Sequence, residues 1–165
     1  MRHILSMLVE NHAGVISRVS GLFSRRGYNI DSISCGTTED SNYTRITVAV
    51  QGDDRVIEQI KRQVAKLIDV IDVVELNSGT AVFRELCFIK VTADAKARSD
   101  IFSITDIFRA KIIDVSQGSI TVEMTGDEGK LNAFIELMKP YGILEMVRTG
   151  IAGIGRGAKH ILKHD

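Results

Sequence analysis

Apolar residues recur along this chain with two alternating periods. Residues 2–9 form a short, mainly apolar run that predicts a buried strand, and Asn11-His12-Ala13-Gly14 breaks it. Val15, Ile16, Val19, Leu22 and Phe23 then follow at helical spacing. Arg25-Arg26-Gly27 closes that helix with the positive charge and glycine that suit a helix C-terminus. Residues 30–35 alternate as a second strand, and residues 36–42 are a polar turn. Residues 43–51 form a third strand with Ile46, Val48 and Val50 on one face. Gly52-Asp53-Asp54 opens a second helix striped by Val56, Ile57, Ile60, Val64, Leu67 and Ile68. A β-branched strand over 70–76 completes the order βαββαβ, the ferredoxin-like unit.

The pattern then repeats. Residues 86–92 predict a strand, and Ile101, Ile104, Ile107 and Phe108 reproduce the spacing of Ile16, Val19, Leu22 and Phe23. Two strands over 111–116 and 119–125 flank Gln117-Gly118, and Gly126-Asp127-Glu128 opens a helix as Gly52-Asp53-Asp54 did. Leu131, Phe134, Ile135 and Met138 line that helix, Pro140 and Gly142 end it, and residues 143–148 are the last strand. The chain therefore reads as α+β, two tandem ferredoxin-like βαββαβ domains. They span residues 1–77 and 81–165, divided near Asn77-Ser78-Gly79-Thr80, with a flexible glycine-rich tail.

Composition narrows the function classes. Hydrophobic residues make up 44%, enough for packed cores, and 21 basic residues balance 21 acidic ones. Neither half is a basic lobe, which argues against a nucleic-acid partner bound through phosphates. An RNA-recognition module would display aromatics on its middle strands, whereas the third strand here carries only Tyr43, at its edge. No segment approaches the roughly 20 apolar residues of a membrane span, and the first residues lack a signal-peptide core. Cys35 and Cys87 lie too far apart for a metal-ligand pair, as reduced thiols of a cytoplasmic protein would.

The sharpest candidate site is Asn11-His12-Ala13-Gly14-Val15-Ile16, between the first strand and the first helix. The first N–H groups of a helix lack internal partners and carry positive potential, so they can hold a carboxylate. Gly14 lets a ligand lie against the backbone, and the Asn11 amide both donates and accepts. An ordinary turn with Asn11 capping the helix fits the same residues equally well. A charge at a helix terminus contributes up to about 2 kcal/mol and burial of a valine-sized side chain roughly 1.5–3 kcal/mol. Micromolar binding needs about 8 kcal/mol, so a second wall is required. An exposed sheet edge pairing with another copy would supply one, and Asn29 could meet a ligand's ammonium from the facing chain.

Other motifs lead nowhere. Residues 153–158 match a dinucleotide fingerprint formally, but too few residues follow to form its helix and acidic partner. His160 and His164 stand one helical turn apart among lysines without a third ligand, as in a solvated basic terminus. No paired carboxylates or nucleophile–base arrangement has a recognisable signature, so no catalytic residue and no metal site is assigned.

Residues 8–15 (Leu-Val-Glu-Asn-His-Ala-Gly-Val) and 21–32 (Gly-Leu-Phe-Ser-Arg-Arg-Gly-Tyr-Asn-Ile-Asp-Ser) resemble the ACT domain of acetolactate synthase small subunits. Val147-Arg148-Thr149-Gly150 and Arg156-Gly157 are similar to the C-terminal, ACT-like domain of that family. The resemblance implies a non-catalytic partner of the large catalytic subunit that activates it and confers valine feedback inhibition. It implies no cofactor in this chain, with thiamine diphosphate, magnesium and FAD on the catalytic subunit. It further implies a homodimer through the ACT domain. Asn11, His12, Ala13, Gly14, Val15 and Ile16 of one chain would then face Asn29 and Ile30 of the other around the effector. Many ACT domains carry proline where Ala13 stands, so this loop is less restrained. A stand-alone tandem-ACT amino-acid sensor acting on another enzyme or on transcription is the alternative.

Overall fold

The computed structural model describes residues 1–158; His160 and His164 lie outside them. Its elements run β1 (Arg2–Glu10), α1 (Val15–Arg25), β2 (Ile30–Thr37), β3 (Tyr43–Gln51), α2 (Asp54–Val64) and β4 (Val70–Leu76). They continue with β5 (Ala81–Thr92), α3 (Ala97–Ile107), β6 (Lys111–Val115), β7 (Ser119–Gly126), α4 (Glu128–Met138), β8 (Ile143–Arg148) and β9 (Ala152–Gly155). Two antiparallel sheets result, ordered β2-β3-β1-β4 and β6-β7-β5-β8, with β9 pairing β5. Both have the strand order of two ferredoxin-like units, as the repeat predicts.

Period-two alternation explains the first core. Leu5, Met7 and Val9 of β1 share a face with Ile46, Val48 and Val50 of β3, and Val15, Val19, Leu22, Phe23, Ile57, Ile60 and Val64 cover it from α1 and α2. Phe23 meets Tyr28 edge-on at 6.4 Å between ring centroids. The second unit repeats the scheme with Cys87, Ile89, Val91, Ile120, Val122 and Met124 beneath Ile101, Leu131, Phe134 and Met138. There the buried Glu85 carboxylate accepts from Arg148 Nε and Nη2, both at 2.7 Å, and fastens β8 beside β5.

Three expectations need correction. Ile68, placed in the α2 stripe, lies beyond that helix and is almost fully exposed, and Ile107 is exposed at the end of α3. β5 begins at Ala81 rather than Leu86, so no loop separates its first residues from the second unit. Among the described residues the compact units are residues 1–83 with 151–158, and residues 84–150. The tail through Gly155 is thus a strand of the first unit rather than a flexible end of the second. Gly153 makes this packing possible: a Cβ there would lie 2.7 Å from the Phe83 ring and 2.9 Å from Leu76. Ile4, Ala49 and Ile151 form a small core with Leu76 and Phe83, on the sheet face away from α1 and α2. The open sheet face that an RNA-recognition module would need is therefore partly covered.

Candidate functional site

β1 ends at Glu10, whose N–H donates to the Asp69 carbonyl, and the chain then turns over the end of the sheet. Asn11 is held by the β2–β3 connection. Its N–H donates to the Asn42 carbonyl at 2.7 Å, its Nδ2 donates to the Ser41 carbonyl at 2.8 Å, and its Oδ1 accepts from Thr44 Oγ1 at 3.0 Å. It does not cap α1. Gly14 precedes the helix with φ +88°, a backbone geometry that side chains disfavour, and no side chain caps the first turn. The N–H groups of Ile16 and Ser17 thus open that turn without intrahelical partners.

The other helices differ in this respect. Asp53 accepts from Val56 N–H in α2, and Asp127 accepts from Lys130 N–H in α4. At the start of α3, Asp94 Oδ1 accepts from Lys96 N–H and Ala97 N–H, so a carboxylate already occupies the position equivalent to the Gly14 turn. Among the four α-helices of the described residues, α1 alone has no carboxylate accepting from its first N–H groups. That leaves its terminal positive potential for an external anion.

A polar cluster surrounds this turn, and the sequence reading missed most of it. Asp69, its side chain 6% exposed, accepts from Arg18 Nε and lies 2.9 Å from His12 Nε2. His12 Nε2 also lies 3.3 Å from Glu10, and its Nδ1 is 3.5 Å from Arg18 Nη2. Arg18 folds back over the turn, so a Cβ on Gly14 would sit 3.4 Å from its Nη1. Glu10, His12 and Asp69 place three ligand-type atoms within 4.8 Å of one another. Arg18, through its Nε bond to Asp69, places a cation within this group. The one local signal for Asp69 was a charged residue interrupting the apolar run from Leu67 to Ile71.

Asn29 and Ile30 are not brought to this loop. Asn29 Nδ2 donates to Asp31 Oδ1, and Ile30 packs against the first core at the start of β2. α1, with its 11 residues, spans about 16 Å and separates the two groups. β2 runs antiparallel to β3, with Ile30 opposite Val50 and Thr37 opposite Thr44. Its Thr37 end therefore shares the end of the sheet with Asn11, and Ile30 lies at the far end.

Comparison with known proteins gives one answer over both units. The family model described as "AHAS small subunit-like ACT domain" matches residues 5–72, and that described as "Small subunit of acetolactate synthase" matches residues 84–157. A probable acetolactate synthase small subunit of Archaeoglobus fulgidus is 50% identical over 159 residues, covering 96% of this chain and 99% of that one. The acetolactate synthase small subunit of Mycobacterium bovis is 46% identical, covering 96% and 95%. A crystal structure of the Thermotoga maritima small subunit is similar with a TM-score of 0.89 and 41% identity, covering 96% of this chain and 99% of that one. No helix among the described residues is long and apolar enough to cross a membrane. The chain belongs to the acetolactate synthase small subunits, the regulatory partners of that enzyme's catalytic subunit.

Proposed function

We propose that the chain works as a homodimer in which the Gly14 turn of one protomer and the start of β2 of the other enclose valine, and that valine binding lowers the activity of the associated catalytic subunit. The observation that carries this reading is the uncapped start of α1, with Gly14 at φ +88° and no side chain accepting from the first turn. The Ile16 and Ser17 N–H groups are the donors offered to the ligand carboxylate, while Val15 N–H donates to the His12 carbonyl and Asn11 is held in place nearby.

Strand order supports the second wall. β2 is an edge strand, and its unpaired backbone is a template for another strand. In antiparallel pairing about a two-fold axis, the first residues of the partner's β2 lie beside Thr37, at the sheet end that holds Asn11. That brings a second copy of Asn29 and Ile30 towards the Gly14 turn. Ile16 and Ile33, 46% and 37% exposed, supply apolar surface for such a junction.

The chain itself performs no chemistry on this reading. Thiamine diphosphate, magnesium and FAD belong to the catalytic subunit, in the cytoplasm where both free thiols stay reduced. Coupling between effector and catalytic states is about 1–3 kcal/mol. Calorimetry of the purified chain against valine, leucine and isoleucine tests the ligand, with valine expected to bind most tightly. Reconstitution with the catalytic subunit tests the site. Gly14→Asp places a carboxylate where the ligand's own would lie, so the variant should activate normally yet ignore valine. Full valine sensitivity in that variant rejects the assignment.

A further inference from the structure

Away from the Gly14 turn, two arginines line one cavity of about 380 Å³ in the first unit. Arg45 comes from β3, Val74 and Leu76 from β4, and the other wall is Thr80 with residues 154–158. Residues directly opposite on paired strands project to the same face. Arg45 stands opposite Leu8, Val74 opposite Ser6 and Leu76 opposite Ile4, which puts all three on the face away from α1 and α2.

The acids nearby form no ion pair with these arginines among the described residues. Glu75 also borders the cavity, but it stands opposite Leu5, on the helix-covered face, and its Oε1 lies 2.7 Å from His3 Nδ1. Asp72 shares the open face, and its Oδ1 accepts from Val73 N–H. Arg45 Nη1 donates to Ser6 Oγ at 3.3 Å, and Arg156 Nε donates to the Ala81 carbonyl at 3.2 Å. Neither guanidinium has a carboxylate partner among the described residues. A guanidinium carries five N–H donors, so each has several to spare. Two guanidiniums without a direct carboxylate partner line one cavity, and their planar forks match oxyanions.

We infer that this cavity is a second ligand site, holding a small oxyanion, a phosphate or carboxylate group, between Arg45 and Arg156. The volume suits a small molecule, and the aliphatic wall of Val74, Leu76 and Ile154 suits a short carbon skeleton attached to the anion. Because one wall is the tail, an occupant ties residues 154–158 to the sheet.

The full chain should be titrated with inorganic phosphate and, separately, with succinate at constant ionic strength set by sodium chloride. Saturable binding of at least one anion is expected, with amide NMR shifts centred on Val74, Leu76, Thr80 and residues 154–158. Phosphate alone identifies a phosphate site, and succinate alone a carboxylate site. Arg45→Gln or Arg156→Gln should weaken binding at least tenfold, and Arg45→Lys less. The shift map on the unmodified chain decides the matter if a variant misfolds. Saturation by neither anion overturns the inference, as does binding whose shifts centre on the Gly14 turn or survive in the double variant R45Q/R156Q.

Discussion

Cys35 and Cys87 are chemically alike and structurally opposite. Cys35 is exposed on edge strand β2, whereas Cys87 is buried in the second core. Burial pushes the Cys87 thiol above its ordinary range, and the nearby Arg148 only partly opposes this. The native state therefore holds the proton more firmly than the unfolded chain. Its stabilising contribution is whole below the unfolded thiol pKa of about 8.5 and is lost as pH rises through the raised native value. A thiol-reactive dye at pH 8 should accordingly label Cys35 at once and Cys87 only on unfolding, read as two kinetic phases. Cys87→Ala should remove part of the alkaline loss of stability in urea titrations. At the same scale, Gly14 and Asn11 could be singled out from local sequence because a turn and a helix start are local events. Arg18 and Asp69 could not, since their ion pair joins residues 51 positions apart.

Among the elements, β9 departs furthest from expectation. A glycine-rich segment has little intrinsic reason to form a strand. It does so because Gly153 allows the backbone against Phe83 and Leu76 while Ile151 fills the small core with Ile4 and Ala49. Gly153→Val should therefore unseat β9, exposing a new protease-sensitive site near residues 151–156 while circular dichroism of the helices stays unchanged. Protease resistance equal to the parent chain would show that the close packing is dispensable. The helices were more legible. Asp53 and Asp127 cap α2 and α4 with bonds of 2.9 and 2.8 Å, as Gly-Asp-acid runs before an apolar stripe lead one to expect. The stripe of α1 included Ile16, yet that side chain is 46% exposed.

At the scale of the whole molecule, two separate cores stabilise two units, each with one large buried phenylalanine, Phe23 or Phe134. Phe134 also meets Phe108 edge-on at 5.3 Å between ring centroids. Phe134→Ala should cost about 3–5 kcal/mol in the second unit. Hydrogen exchange should then speed up for amides of β7 and α4 before those of β1 and β3. Uniform acceleration across both sheets would mean the units unfold together. The proposed sites belong to the first unit, one at the end of its sheet and one on the face away from its helices, so such a variant should keep anion and valine binding longer than it keeps an intact second core.

The amino-acid sequence by itself determined the order and type of elements through β8, the duplication, the acidic starts of α2 and α4 and the place of the Gly14 turn. Each depends on neighbours within a helical turn or along one strand, where side-chain periodicity and backbone preferences act directly. Only the tertiary structure decided that Asp69 and Arg18 flank that turn, that Asn29 sits at the far end of the sheet, and that the tail returns to the first unit. Those outcomes depend on strand order and register, which join residues far apart in the chain and leave no local pattern. The Arg45–Arg156 cavity is of the same kind, two ordinary surface cations until the fold turns both towards one space.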